Sequence, residues 1–187
     1  MSTFFISDLH FGHKNALAFD NRQFPDIETH DEALIEKWNS VVGINDEVWV
    51  LGDISWYGAQ KTIEIFNRLN GVKNLCIGNH DHKLLRNREV RALFAEITDY
   101  KELELDNQFY VLSHWPIPTF NKHYYGAIHF YGHVHLGWEY NMLKQWKYQS
   151  EALYDKPCKM YNVGCMVPEI DFTPRTANQI IELFEQC

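Results

Sequence analysis

The chain has 187 residues, 45% hydrophobic and 15% aromatic, with a formal net charge of −8. That length favours one domain spanning residues 1–187, and that composition can fill a sizeable core, so disorder and fibrous classes are excluded. The acidic balance argues against non-specific nucleic-acid binding, yet it leaves room for an anionic substrate wherever bound cations make a pocket locally positive.

In chain order, Phe4-Phe5-Ile6 is too short for a signal-peptide core or a membrane span, so a soluble, cytoplasmic protein with no membrane partner is expected. Thr3 to Ser7 reads as a buried strand that ends at Asp8. Asp31 to Val42 carries Leu34, Ile35, Trp38, Val41 and Val42 as the one-sided stripe of an amphipathic helix. Val48 to Leu51 is a second strand, ending at Gly52-Asp53. Gly58 to Asn70 is a second helix, with Ile63, Phe66 and Leu69 on one side and Gly71 as its C-terminal cap. Val72 to Ile77 is a strand ending at Gly78-Asn79, and Arg88 to Ala95 a shorter helix.

Lys101 to Asp106 alternates polar and apolar residues and reads as a strand with one wet side. Gln108 to Ser113 ends at His114, and Ala127 to Tyr131 ends at Gly132-His133. Leu136 to Lys159 reads as loop and short strand. Thr173-Pro174 caps and opens a last helix that buries Ile180, Ile181, Phe184 and Ala177. The four cysteines, Cys76, Cys158, Cys165 and Cys187, form no C-x-x-C pair, which argues against a disulfide framework or a zinc ribbon; Cys76 reads as core. No internal repeat or linker interrupts the chain. Strands alternating with helices, then strands in succession, predict a layered α/β architecture with mixed sheets. Such sheets gather ligands beyond the carboxyl ends of their strands.

Five short motifs stand at those ends: Asp8-Leu9-His10, Gly52-Asp53, Gly78-Asn79-His80-Asp81, His114 and Gly132-His133-Val134-His135. Singly they are weak, because caps, turns and buried histidines produce each of them. Together, in one order and all after apolar runs, they indicate a metal site. Hydrolysis of a phosphate ester needs a nucleophile, neutralisation of the phosphate oxygens and help for the leaving group. Two divalent cations ~3.5–4 Å apart can supply the first two. An anion must lie between such cations, and Asp53 is the candidate bridge. Asp8 and His10, two apart at an extended strand end, point the same way and can reach one metal. His133 and His135 repeat that spacing and can serve one metal each, while Asn79 and His114 complete the second site. Oxygen and nitrogen donors without thiolate suit manganese first, then iron, zinc, nickel or cobalt, over calcium or a structural zinc. Gly52, Gly78 and Gly132 permit sharp exits from the strands.

Around these motifs, His13 either contacts substrate phosphate or caps the helix that follows it. Trp115, with Trp56, Tyr57 and Trp138, flanks the ligand loops, to stack on a nucleobase or aryl leaving group or to pack on its own scaffold. His82, His123 and His129 are candidates for orienting ligands, with a surface role equally open for His82 and His123. His30 reads as solvated. Lysine and arginine are sparse near the motifs, which leaves the phosphate to the metals.

The ordered set resembles the calcineurin-like metallophosphoesterase superfamily, whose pattern is D-x-H, G-D, G-N-H-D/E, H and G-H-x-H. Every element is present between residues 8 and 135, and Asn162-Val163-Gly164 looks like the family's late strand. Asp8 to His13, Trp38-Asn39 and Ser113 to Pro116 look like the small stand-alone bacterial and phage members. The resemblance implies a four-layer α-β-β-α sandwich. It implies a first metal at Asp8, His10, Asp53 and His135, and a second at Asp53, Asn79, His114 and His133. It implies that His80 faces the scissile phosphate, as leaving-group acid or as a donor to the transition state, with Asp81 orienting its ring.

Two departures narrow the type. Trp56 stands where purple acid phosphatases carry a tyrosine ligand and many relatives a second aspartate. Ile54-Ser55-Trp56-Tyr57 lacks the arginine of serine/threonine protein phosphatases, and Asp81 takes their glutamate's place. The expected activity is two-metal hydrolysis of a small phosphate ester or nucleotide, with hydroxide supplied by the ions attacking phosphorus in line. Compactness without a specificity domain tilts the expectation to phosphodiesters. Phosphomonoester hydrolysis and a non-catalytic metal-binding scaffold are the alternatives.

Overall fold

Three short apolar segments, β1 (Thr3–Ile6), β2 (Glu47–Val50) and β3 (Val72–Cys76), pair in parallel, with Phe4 opposite Val48 and Val48 opposite Lys73. Runs buried on both faces suit the middle of a parallel sheet. The computed structural model describes residues 1–185. It widens this sheet with β4 (Ile97–Thr98), parallel to β3, and closes its other edge with β9 (Arg175–Thr176), antiparallel to β1. The second sheet contains β5 (Tyr100–Leu105), β6 (Gln108–Ser113), β7 (Ile128–Tyr131) and β8 (Met160–Asn162), in that order; β5 runs antiparallel to β6, and the other pairs are parallel.

The alternation of strand side chains builds the layers. Tyr110, Leu112 and Phe130 face the first sheet and join a core with Phe5, Val50 and Leu75; the rings of Phe5 and Phe130 stand 4.8 Å apart. That core continues into Leu34 and Trp38 of α2 (Ile27–Val41) and Phe66 of α3 (Ala59–Phe66). Val111 and Tyr131 face the opposite way, into a smaller cluster with Leu143 of α5 (Trp138–Tyr154). Helix, sheet, sheet and helix thus stack in four layers, as expected.

Several local expectations change. The long first helix begins at Ile27, not Asp31, because Asp26 caps it by accepting the Thr29 N–H at 2.7 Å. Its early turn buries His30, expected in solvent, beside Arg22 and Asp31. A six-residue α1 (Lys14–Phe19) precedes it. The next helix stops at Phe66, so Gly71 lies beyond the cap, at the entry to β3, with φ of +83°. The helix expected from Arg88 shrinks to α4 (Arg88–Arg91). Residues 136–159, expected as loop and short strand, contain the 17-residue α5. Tyr140, Leu143 and Trp146 turn towards the sheet at helical spacing, but exposed Trp138, Met142, Tyr148 and Leu153 hide that stripe. The last helix, α6 (Ala177–Glu185), opens after β9 and not at Pro174. Thr176 and Gln179 cap it reciprocally: Thr176 N–H donates to Gln179 Oε1 at 3.0 Å, and Gln179 N–H to Thr176 Oγ1 at 3.4 Å. Cys76, Cys158 and Cys165 are buried and free, and Cys187 lies outside the described residues. Among the described residues no helix is long and apolar enough to cross a membrane.

His129 is buried on β7 and serves the backbone rather than a ligand. Its Nδ1–H donates to the Val111 carbonyl at 3.0 Å, and its Nε2 accepts the Ile117 N–H at 3.1 Å, which ties down the loop after His114. Burial pulls its pKa from 6.5 down to about 4, against the pull of its backbone partners. The unfolded chain protonates this ring near 6.5 and the folded chain near 4, so its contribution is full above pH 6.5 and lost as pH falls towards 4. Between pH 7 and pH 4.5, urea titrations should show the wild type losing about 2 kcal/mol more stability than His129→Gln. Parallel losses in the two proteins would contradict this.

Candidate metal centre

The carboxyl ends of β1, β2, β3, β6 and β7 meet along one edge of the layered sheets, and each runs into one of the five motifs. Ser7 joins the two innermost exits by donating its hydroxyl to the Leu51 carbonyl at 2.6 Å. Asp8, His10, Asp53 and His133 all have left-handed backbones, with φ of 55°, 50°, 55° and 69°. Such conformations cost about 1–3 kcal/mol each in residues with side chains and persist only where surroundings enforce them. Asp8 and His10 therefore converge through a tight turn, not along an extended strand as their spacing suggested. Asp8 N–H donates to the Gly52 carbonyl at 3.1 Å and His10 N–H to the Asp53 carbonyl at 3.0 Å, locking the two loops together. Gly132 and Gly78 allow the final approach: a β-carbon on Gly132 would overlap Ser7 Oγ and press on Asp8, and one on Gly78 would overlap the Asp53 carboxylate.

The seven predicted ligands come together. Asp8, His10 and His135 form one group of donors within 4.8 Å of one another, and Asp8, Asp53 and His114 form a second. His10 Nε2 and His135 Nε2 face each other at 3.3 Å, with Asp8 Oδ1 at 3.8 and 3.6 Å. Asp53 Oδ2 lies between the groups, 3.7 Å from both His10 Nε2 and His114 Nε2. Asn79 Oδ1 is 2.9 Å from His114 Nε2 and 3.0 Å from His133 Nδ1.

The outer hydrogen bonds fix which ring atoms are free. His135 Nδ1–H donates to Asp20 Oδ1 at 2.5 Å, and His114 Nδ1–H to the Leu51 carbonyl at 2.7 Å. Both rings therefore turn Nε2 inward, towards carboxylates and an amide oxygen. His114 Nε2 thus meets Asn79 Oδ1 and Asp53 Oδ2 as acceptor to acceptor, and a cation among them turns that repulsion into attraction. The chemistry of the donor set fits a divalent transition metal: two carboxylates, four imidazoles and an amide oxygen, with no thiolate. These Asp and His groups can hold metal ions.

Charge follows the same geometry. Burial raises the Asp8 carboxyl, but the rings of His135, His114 and His10 outweigh it and hold Asp8 well below the usual carboxylate range. Burial, with the nearby Asp8 charge, raises Asp53 against the pull of His114. Burial pulls His10 down; it also acts on His135, where the carboxylates of Asp20 and Asp8 prevail and hold the ring up at about 9.

His80 lies on the open side, its side chain 44% exposed, with Nε2 4.0 Å from Asp53 Oδ2. Asp81 does not orient that ring. Its carboxylate turns inward and accepts the N–H groups of Asp53, Ile54 and Gly78 at 2.9, 2.9 and 2.8 Å, fastening two ligand loops together. His13 begins α1 without a side-chain cap; its ring stacks on Trp56 at 3.8 Å. Trp115 packs 4.2 Å from the His133 ring, Trp138 is exposed at the start of α5, and Tyr57 packs over Gly12. His82 is exposed, and His123 Nδ1 bonds the Phe120 carbonyl at 2.8 Å, away from the centre.

A buried network under the first motif had no counterpart in the expectations. Arg22 Nη2 donates to the Asp8 carbonyl at 3.1 Å and Nη1 to the Leu9 carbonyl at 3.2 Å, while Asp20 Oδ2 pairs with the guanidinium at 2.8 Å. Arg22 also donates to His30 Nε2 at 3.0 Å; His30 Nδ1–H donates to Asp31 at 2.9 Å, and Asp31 accepts the Gly12 N–H at 3.1 Å. An arginine thus lies directly beneath a site that looked poor in basic residues. Asp20-Asn21-Arg22 has no spacing that marks it in sequence.

No protein-family model matches the chain. It is 29% identical to the uncharacterized protein MJ1445 of Methanocaldococcus jannaschii, over 98% of this chain and 91% of that one. It is 41% identical to the Gene 66 protein of Mycobacterium phage L5 over 49% of this chain, a match that spans 45% of the phage protein's length. Among solved structures, a protein of unknown function from Aquifex aeolicus, AQ665, superposes with a TM-score of 0.71 at 25% identity, covering 97% of this chain and 98% of its own. That likeness extends the layered α/β fold over nearly the whole chain.

Because Asp20 fixes the His135 tautomer and raises its basicity, Asp20→Asn should weaken manganese(II) binding by about tenfold or more in titration calorimetry. Unchanged affinity would show that His135 does not depend on this carboxylate.

Proposed function

We propose that this chain hydrolyses phosphate esters, with a slight preference for phosphodiesters, and uses two divalent transition-metal ions, manganese first among them. Asp8, His10, Asp53 and His135 would hold one ion; Asp53, Asn79, His114 and His133 would hold the other. The reading assigns the chain to the small stand-alone type of the calcineurin-like metallophosphoesterase superfamily, which the motif order and the layered fold support. The observation that carries it is the convergence of donor side chains from five separate strand ends, with Asp53 Oδ2 central between two donor groups.

When bound, the ions supply positive charge for the phosphate oxygens and make water acidic enough to act as a nucleophile near neutral pH. Asp53 contributes the negative charge that lets two dications lie close. The amide N–H of His80 donates to Asp53 Oδ1 at 3.0 Å, so the position of the exposed ring is tied to that bridge. The His80 ring, needed by neither donor group, holds a proton towards the leaving oxygen or donates a hydrogen bond to the phosphoryl group. Asp81 keeps the Asp53 and Gly78 loops in register.

The manganese-loaded protein should turn over both 4-nitrophenyl phosphate and bis(4-nitrophenyl) phosphate, the diester faster. Asp53→Ala should lose bound metal and activity together. His80→Ala should keep its metal content by elemental analysis while kcat falls by roughly 10²–10⁴-fold. Binding below one metal equivalent at saturation would end this reading. Full binding without turnover of either ester would favour a metal-binding scaffold.

A further inference from the structure

Next to the donor cluster lies a cavity of about 750 Å³, open to solvent. Asn79, His80, Trp56, Tyr57, Lys83 and Arg86 are among the residues that line it. Its volume falls in the range of small-molecule sites. Trp56 keeps 44% of its surface exposed. Between residues 83 and 91 the chain carries Lys83, Arg86, Arg88 and Arg91 against the single acid Glu89, in a molecule whose net charge is −8. Among the described residues, neither Lys83 nor Arg86 has a side-chain ion pair or hydrogen bond. The backbone that carries them is nevertheless held in place. Leu85 N–H donates to the Asp81 carbonyl at 3.0 Å, Leu84 and Leu85 are buried, and Asn87 caps α4 by accepting the Glu89 N–H at 2.8 Å. The two cations therefore sit on a rigid turn continuous with the segment that carries His80.

We infer that this cavity receives the leaving half of a phosphodiester, and that this half is a nucleotide carrying a further phosphate of its own. The inference rests on the activity proposed above, because His80 lines the cavity and serves the leaving side. Trp56, which stays 44% exposed although the His13 ring stacks on it, offers stacking to a base, which every nucleobase can use. Two unpaired cations in the same lining offer charge-assisted hydrogen bonds to a second phosphate. A simple aryl or alkyl ester would leave them idle. The room suits one nucleotide unit, and the overall negative charge disfavours a long polyanion, so the substrate is a small dinucleotide-type ester. In the reaction, water oxygen bonds to phosphorus, the P–O bond to the leaving nucleotide breaks, and that nucleotide's oxygen leaves with a proton.

The test uses the full-length protein. Titration calorimetry should show adenosine 3′,5′-bisphosphate binding at least about tenfold more tightly than adenosine. The double variant Lys83→Ala, Arg86→Ala should remove most of that difference, and Trp56→Ala should weaken both ligands. In kinetics, the double variant should raise KM for a dinucleotide with a terminal phosphate on its leaving nucleoside, relative to KM for the same dinucleotide without it. Equal affinity for adenosine and its bisphosphate, no effect of the double variant, or faster hydrolysis of a longer single strand ending in the same unit would each overturn the inference. Hydrolysis of bis(4-nitrophenyl) phosphate separates the two failures. If it is retained without nucleotide discrimination, only the cavity assignment falls; if it is absent, the parent reading falls.

Discussion

Electrostatic repulsion among buried acceptors is the constraint on which the rest of the structure depends. Asp8 and Asp53 are both buried, and the Nε2 atoms of His10 and His135 face each other at 3.3 Å beside them. Buried charge without compensation is costly, so every group behind the donors has to offset it. Arg22 does so from below, through the carbonyls of Asp8 and Leu9, and Asp20 answers Arg22 in turn. The His133 N–H donates to Asp8 Oδ2 at 3.0 Å and the His80 N–H to Asp53 Oδ1 at 3.0 Å, so backbone dipoles share the load. The remaining inward-facing capacity is what a cation can use.

Parallel strand ends make such crowding achievable. Parallel strands of each sheet finish at the same edge, and the two packed sheets bring those edges together, so residues more than a hundred positions apart, such as Asp8 after β1 and His135 after β7, become neighbours. The left-handed turns at Asp8, His10, Asp53 and His133 then swing the side chains inward. Strain of this kind concentrates where function needs a fixed geometry. Here the price of that geometry falls on the three inner amides bound by Asp81 and on the network from Arg22 to Gly12.

Much of this was legible in sequence because apolar runs mark buried strands, and the polar motifs follow directly after them. Asp8, Asp53, Asn79, His114 and His133 each announce themselves by that position. What was not legible depends on partners distant along the chain. Asp20 and Arg22 have no periodicity, and their roles exist only once His135 and the Asp8 carbonyl are beside them. His30 looked solvated because its acceptor and donor, Arg22 and Asp31, meet it only inside the fold. Asp81 looked like a partner for the adjacent His80, yet the turn points its carboxylate at the backbone of another loop. The helix α5 was hidden because exposed apolar residues such as Trp138, Met142 and Leu153 interrupt its polar outer face.

The borders of the two sheets differ in a way that bears on solubility. The first sheet is bounded by β4 and β9, each only two residues long, which leaves a foreign strand almost nothing to hydrogen-bond along. The second ends on β8, three residues long, and on β5, whose outward positions include Glu102 and Glu104. Short or charged borders discourage lateral strand addition. A molecule whose interior is largely apolar β-structure is thereby guarded against polymerising through its sheets.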